Sequence, residues 1–412
     1  MTRVIRVCTS LLAVLAATLA APPPASAAEP IRIGFMAPLT GIFAQSGKDM
    51  LDGLKLSLEQ LGYQAAGRKI ELIEEDDEGN PARALARFRK MATQDRVHVL
   101  NGVLLSNIGY SLVQPIETEK LPALYLTTPD DLTKRKPPKY IMRSNFAGSQ
   151  NMHPLGEYAA KVLKYKRVAT IAMDNPFGHE QIGGFHRVFE DNGGVVVQKI
   201  WVPLTTMDFA PYLTQLRRDV DAVASVFVAA QSIRFMKQYA DAGLKGRLPI
   251  LASGVQMDEH ALRAMGDEAL GAVSALHWSP VLDNSANKKF LQLAEAKFGK
   301  RPSYFSAVMY STGLWIAKAA ELVGGNVEDR DKFIVALKRA METVEDPRGP
   351  IKLDDFNNPT ENIYILKVER VDGKLVNVPI HTYPMVSQFW TYKAEDFLKL
   401  PVYSRDYPPA KP

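Results

Sequence analysis

Short apolar runs alternate along this chain with stretches in which apolar residues recur every three or four positions. Ile31 to Met36 is such a run. It ends in a turn rich in Pro, Thr and Gly at Pro38 to Gly41 and predicts a strand. Leu51, Leu54, Leu58 and Leu61 then share one face of a helix. Lys69 to Glu74 is the next strand. Asn80-Pro81 opens a helix, because Asn can cap its free N–H groups and Pro fits the first turn. Val97 to Val103 and Leu121 to Leu126 are further strands, with a helix over Asn107 to Glu119 between them. This alternation predicts a parallel sheet covered by helices on both faces.

The rhythm restarts further on. Arg167 to Met173, Val195 to Trp201 and Ala222 to Ala229 read as strands, the last apolar except for Ser225. Helices are expected over Gly178 to Asn192, Phe209 to Arg218 and Gln231 to Ala242, the last stopped by Gly243. Leu248 to Ala252 and Gly271 to His277 are shorter strands. Two α/β units in succession predict two lobes. Two helical stripes follow, Phe305, Val308, Met309 and Ile316, then Phe333, Leu337, Ala340, Met341 and Val344. Tyr364 to Val371 and Lys374 to Val378, joined by Asp372-Gly373, read as a β-hairpin. Prolines at 401, 408, 409 and 412 mark an irregular tail.

The first residues carry a different message. Arg3 and Arg6 precede an apolar stretch from Leu11 to Ala21 that is too short to span a bilayer comfortably. Pro22-Pro23-Pro24 and the small-x-small triplet Ala25-Ser26-Ala27 complete an export signal. Cleavage is expected before Ala28, with Glu29 as the alternative first residue, and the mature protein is exported. Cys8, the single cysteine, precedes the apolar stretch, so it is not a lipid-anchoring cysteine and the mature chain has no thiol.

The chain has 412 residues, 46% of them apolar and 23% charged, which is ordinary for a globular protein and too long for one core. A net charge of +5 is spread thinly. The densest basic patch, Lys134-Arg135-Lys136, precedes Pro137-Pro138 and reads as a loop tip. No basic stripe interleaves with aromatics, so nucleic acid is not an expected partner. Gly41 to Lys48 has the wrong spacing for a phosphate loop, with Asp49 where Ser or Thr would bind magnesium. His179-Glu180 lacks a second histidine at Gly183, and His179 and His186 read as ordinary helix histidines. The acidic run Glu74 to Glu78 lacks calcium-loop spacing and reads as a solvated strand end. No Gly-x-Ser-x-Gly elbow is present. No metal, cofactor or catalytic constellation is therefore expected, and no enzyme.

The strand-to-helix loops remain. In open parallel sheets ligands bind beyond the carboxyl ends of the strands. Gly102 to Asn107 is such a loop, where backbone N–H groups and the Ser106 hydroxyl suit an anion. Thr127-Thr128 ends the next strand. Ser106 and Thr128 serve equally well as caps of a helix or turn, and spacing alone leaves both readings open.

Several segments together resemble one family. Pro38-Leu39-Thr40-Gly41 with Ala44 and Gly47, Asp76-Asp77 with Asn80-Pro81, Gly102 with Ser106, Leu121-Pro122, Ala242-Gly243-Leu244, and Arg301-Pro302-Ser303 with Tyr310 follow its order. The chain is similar to branched-chain amino-acid-binding proteins, the type I periplasmic receptors of ABC importers, over residues 31 to 380. The resemblance implies an α/β fold of two Rossmann-like lobes joined by three hinge crossings. These fall near Arg143–Ser144, His277–Ser279 and Gly349–Ile351. Lobe I would comprise residues 28–143 and 279–349, lobe II 144–278 and 350–400, after a signal at 1–27 and before a tail at 401–412. A small molecule would bind between the lobes and pass to an ABC permease. A monomer is the default, and a signalling partner for the same fold is the alternative.

The resemblance also implies site residues. Ser106 and Thr127-Thr128 match loops that bind an amino acid's carboxylate and part of its ammonium. Leu105, Phe43, Ser46, Phe177 and Gln231 fall in neighbouring loops, with Tyr125 and Trp278 as further candidate lining. Ser253 is a departure, because amino-acid-binding members tend to carry an acid near it that pairs with the ammonium. Asp130 or Asp258 would have to substitute. An ammonium desolvated without a partner costs several kcal/mol. The expected ligand is a carboxylate, aromatic or aliphatic, or an amino acid.

Overall fold

The computed structural model describes residues 29–135 and 137–411. The leader with Cys8 and its cleavage points, and Lys136 of the basic patch, lie outside the described residues. Strands are numbered β1 to β14. The first sheet holds β1 (Ile31–Ala37), β2 (Gln64–Ala65), β3 (Arg68–Asp76), β4 (Val99–Gly102), β5 (Ala123–Tyr125) and β6 (Ile141–Arg143), in the order β2-β3-β1-β4-β5-β6. All its pairings are parallel except the short β2–β3 contact. β1 lies centrally, with Ile33 opposite both Leu72 and Val99.

The second sheet holds β7 (Arg167–Met173), β8 (Val195–Val202), β9 (Ala222–Val226), β10 (Ile250–Ser253), β11 (Val273–Leu276), β12 (Ile351–Leu353), β13 (Pro359–Val371) and β14 (Lys374–Val386). Its order is β12-β13-β11-β10-β9-β7-β8, with β14 on β13. β13 runs antiparallel to β11 and joins the C-terminal part of the chain to the parallel strands. The chain passes between the two bodies after β6, after β11 and before β12. Helices Ser285–Phe298, Tyr304–Leu322 and Arg330–Thr343 add their apolar faces to the core of the first sheet.

Local sequence explains most of the elements. Asn80 caps helix Pro81–Thr93, its Oδ1 accepting from the N–H groups of Ala82 at 2.9 Å and Arg83 at 3.1 Å. Helix Tyr304–Leu322 is buried almost all round and packs on helix Ala44–Gln60. Gly53 permits that approach: a Cβ there would sit 2.2 Å from the Ser306 carbonyl. Helix Met152–Lys161 has no counterpart in the sequence periodicity, because eight of its ten residues are buried and it shows no polar face. Helix Ser285–Phe298 is also unanticipated. The hairpin is longer than its alternation suggests, since Pro379 and Pro384 lie on the edge strand β14, where a missing N–H is tolerated.

The tail is irregular but firmly held. The Trp201 indole donates to the Arg405 carbonyl at 3.1 Å, and Lys411 N–H to the Val196 carbonyl at 2.8 Å. Tyr403 packs on helix Pro176–Asp191 at Gly183, where a Cβ would come within 2.4 Å of its ring.

Candidate functional site

Loops from the carboxyl ends of both sheets enclose a cavity of about 330 Å³. On the first side, β1 leads to Phe43 and Ser46, β3 to Gly79, β4 to Leu105, Ser106 and Asn107, and β5 to Leu126 and Thr128. Asn145 adds to this wall from the crossing after β6, and Tyr304 and Phe305 from the start of a helix. On the second side, β7 leads to Met173, Asn175, Pro176 and Phe177, β8 to Leu204, β9 to Val228 and β10 to Val255. Among the described residues no Asp, Glu, Lys, Arg or His side chain lines the cavity.

Hydrogen bonds hold the loops in place. The Asp76 carboxylate accepts from the Leu39 N–H at 2.9 Å, the Thr40 hydroxyl at 2.7 Å and the Glu78 N–H at 2.8 Å, joining the loops after β1 and β3. Burial alone would raise this carboxyl, but the Thr40 hydroxyl and the backbone N–H groups outweigh it and hold it below the usual carboxylate range. Asn175 caps helix Pro176–Asp191 by accepting from Gly178 N–H at 2.9 Å, which presents Phe177 at the first turn. Ser303 caps helix Tyr304–Leu322, and the Tyr304 N–H donates to Asp258 at 2.9 Å. Burial, then the nearby Asp258 charge, raises the Tyr304 hydroxyl well above the ordinary phenol value, so it stays neutral. The Asn145 side-chain oxygen is buried without a partner. Leu105 precedes helix Ser106–Glu119 with no capping side chain.

Of the residues expected from the sequence, Phe43, Ser46, Leu105, Ser106, Thr128 and Phe177 come together at this cavity. Five others do not line it. Tyr125 is fully buried under helix Ser106–Glu119, its hydroxyl 3.4 Å from the Gly109 carbonyl. Thr127 faces the other way from Thr128 and packs against Gly109. Gln231 instead donates to the carbonyls of Pro203 at 3.0 Å and Thr206 at 2.9 Å, which shapes the loop carrying Leu204. Ser253 ends β10 in the core, and Val255 takes the place at the cavity. Trp278 is also core, donating to Asn287 at 2.8 Å.

Neither substitute acid reaches the cavity. Asp130 is buried in an ion pair with Lys134 at 2.8 Å, and Asp258 is engaged by Tyr304 and His260. The acidic run is paired rather than simply solvated: Glu74 meets Lys55 at 2.7 Å and Glu75 meets Lys90 at 2.6 Å. His179 and His186 each face their own carboxylate, Asp174 and Glu190. Among the described residues no group of three His, Cys, Asp or Glu is placed to hold a metal ion. Tyr304 and Phe305 at the cavity are missed by the periodicity, which reads Phe305 as helix core. The capping Ser303 just before them was the available signal.

Two sheets with strand ends facing across a crevice have the architecture of a solute-binding protein. The family model of the periplasmic binding proteins matches residues 30–374, and the chain belongs to that family. It is 28% identical over 367 residues to a Leu/Ile/Val-binding protein homolog of Brucella suis, covering 87% of this chain and 93% of the relative. A solute-binding protein of an ABC transporter from Rhodopseudomonas palustris, solved with 3,4-dihydroxybenzoic acid, superposes with a TM-score of 0.80 at 33% identity, covering 87% of this chain and 98% of that one. Another from R. palustris, solved with 4-hydroxybenzoate, gives 0.82 at 27% identity, covering 88% and 99%. The fold is thus that of the type I periplasmic binding proteins, and the protein is a periplasmic substrate-binding protein of the ABC-transporter class.

Proposed function

We propose that this protein captures a small aromatic carboxylate of the hydroxybenzoate type and delivers it to an ABC permease. The observation that carries this reading is the cavity's lining, which is largely apolar and aromatic and has no charged side chain. An amino acid would bring a buried ammonium with no acid to meet it, at a cost of several kcal/mol. A carboxylate meets the Ser106 and Thr128 hydroxyls and the first turn of helix Ser106–Glu119. Phe43, Phe177, Tyr304 and Phe305 provide ring faces and edges for an aromatic body. The volume lies in the range of small-molecule sites, roughly 300–1,000 Å³. The aromatic acids held by the two R. palustris relatives support the same class.

Residues 28–143 with 279–349 and residues 144–278 with 350–400 are the two lobes that close on the ligand, as a monomer exported after cleavage near Ala27. No chemistry is done on the ligand. Titration calorimetry and thermal shift test the reading. 4-Hydroxybenzoate and 3,4-dihydroxybenzoate are expected to bind and to raise the melting temperature, with leucine and isoleucine giving no shift. Stabilisation by leucine-like amino acids alone overturns it.

A further inference from the structure

The crossing after β6 grips the loop after β5 from behind. Every carbonyl from Tyr125 to Pro129 is taken by residues 143–148. Ser144 N–H donates to Tyr125 at 2.8 Å, Asn145 to Leu126 at 2.8 Å, Arg143 to Thr127 at 2.5 Å, Gly148 N–H to Thr128 at 2.7 Å and Arg143 to Pro129 at 2.7 Å. Arg143 supplies two of these bonds. Two more of its five N–H donors go to Thr133 Oγ1 at 3.0 Å and Asn358 Oδ1 at 2.8 Å. Its side chain therefore ties the Thr127–Pro129 loop to the chain segment just before β13.

Arg143 is wholly buried, yet all of these acceptors are neutral. Among the described residues no carboxylate lies within ion-pair distance of it. The acids in its neighbourhood, Asp130, Glu180 and Asp354, favour its charge only from beyond that distance, and each has other partners or surroundings. Asp130 is paired with Lys134 at 2.8 Å. Glu180 is pushed well above the ordinary carboxyl value, by burial first and then by Asp130. Asp354, also raised by burial, accepts from Gln388 at 2.7 Å and from backbone N–H groups. Burial pushes Arg143 down to about 10, so it remains a cation at neutral pH. A buried cation without an anionic partner is an expensive thing to keep. It is kept directly behind Thr128, in a cleft wall that carries no charge of its own.

We propose that Arg143 is a concealed counter-charge and positioning residue for the cleft: unpaired in the free protein, it favours an anionic head group seated at Thr128 over a neutral head group of the same shape. The inference rests on the carboxylate reading above and goes further by assigning the selectivity for charge to a residue that does not line the cavity. Arg143 does two separable things. Its fork fixes the loop by hydrogen bonds, which matters to any ligand. Its charge acts through a low-dielectric wall, which matters only to an anion.

The test compares 4-hydroxybenzoate with 4-hydroxybenzamide by titration calorimetry at pH 7. Asn358→Asp neutralises Arg143 in place with an isosteric carboxylate. It forfeits the bonds that the Asn358 amide donates to Gln150 and Pro359, both at 2.9 Å. The expected result is a folded variant whose ligand-free melting temperature is equal to or above wild type. Its acid-over-amide preference should fall by about fivefold or more, because the charge that favours an anion through the low-dielectric wall is then paired. Arg143→Lys keeps the charge and loses the fork, so both ligands should weaken together and the preference should persist. A merely structural role weakens both ligands equally in both variants. Retention of the wild-type preference within twofold in Asn358→Asp overturns the proposal, and so does failure of that variant to fold, since neutralising an unpaired cation should relieve the free protein. Equal affinity of the wild type for acid and amide overturns the carboxylate reading itself.

Discussion

The two walls of the cleft grow from the same kind of strand-to-helix loop, yet they carry different chemistry. The wall from the first sheet sets the hydroxyls of Ser46, Ser106 and Thr128 and the amides of Asn107 and Asn145 among its apolar groups. The wall from the second sheet offers Met173, Pro176, Phe177, Leu204, Val228 and Val255, and its one amide, Asn175, is already engaged in capping a helix. The difference assigns the walls separate tasks. On the function proposed above, the first would recognise a polar head group through directed hydrogen bonds, and the second would cover an apolar body and exclude water. If the lobes close as proposed, the first wall would set which ligand is oriented, and the second how much is gained on closure.

The most severe way to break this division is at Thr128. Thr128→Val keeps the shape and removes the hydroxyl. A hydrogen bond to a charged group is worth roughly 1.5–3 kcal/mol, so affinity for 4-hydroxybenzoate should fall about ten- to a hundredfold. 4-Hydroxybenzamide should lose less. Calorimetry on both ligands reads the result, and a loss below threefold would remove Thr128 from the head-group site.

Phe177→Ala probes the opposite wall and should act more evenly. Losing a ring contact and its covered area costs about 1–2 kcal/mol, or roughly tenfold in affinity, for acid and amide alike. Phe177→Leu should recover most of that. If Phe177→Ala changes the acid-to-amide ratio more than Thr128→Val does, the walls do not divide the work as described.

The same contrast shows what a sequence discloses. β7 spans Arg167–Met173, the very residues of its apolar run, and Asn80 caps where an Asn-Pro start requires. Ser106 and Thr128 were legible because each sits just past the carboxyl end of a strand, whereas Phe43, Ser46, Leu105 and Phe177 followed only from the family resemblance. Thr127 and Thr128 illustrate the limit. Adjacent residues in extended chain face opposite ways, so a one-residue uncertainty exchanges a cavity residue for a core one. Ser253 and Val255 exchange places through a similarly small shift. Tyr304 and Phe305 reach the cleft from a helix more than a hundred residues beyond β7 (a placement fixed by packing on helix Ala44–Gln60), and no local periodicity encodes it. Arg143 was visible only as a residue near a lobe crossing; that its acceptors are all neutral is a tertiary fact.

The smallest effect sharpens the comparison from beneath the polar wall. Asp77 follows β3, is fully buried, and accepts from the N–H of the cavity residue Gly79 at 2.8 Å, while its other oxygen has no partner. Burial first, and the neighbouring Asp76 charge after it, push its carboxyl up to about 6. A folded-state value above the unfolded one means that the native protein holds its proton longer. The associated stability is present in full below the unfolded value, near 3.8. It is lost as pH rises towards about 6, and above that the penalty stays constant. Asp77→Asn keeps the oxygen that accepts from Gly79 and cannot ionise. The variant should therefore match the wild type near pH 4, gain on it through pH 6, and remain ahead by about 1 kcal/mol at pH 8, a fraction of what a shift of about two units represents. Denaturant melts at those three pH values read the difference. A gap that is the same at pH 4 and pH 8 would show that Asp77 does not titrate in this window, and that the floor of the polar wall is as free of changing charge as the apolar wall opposite.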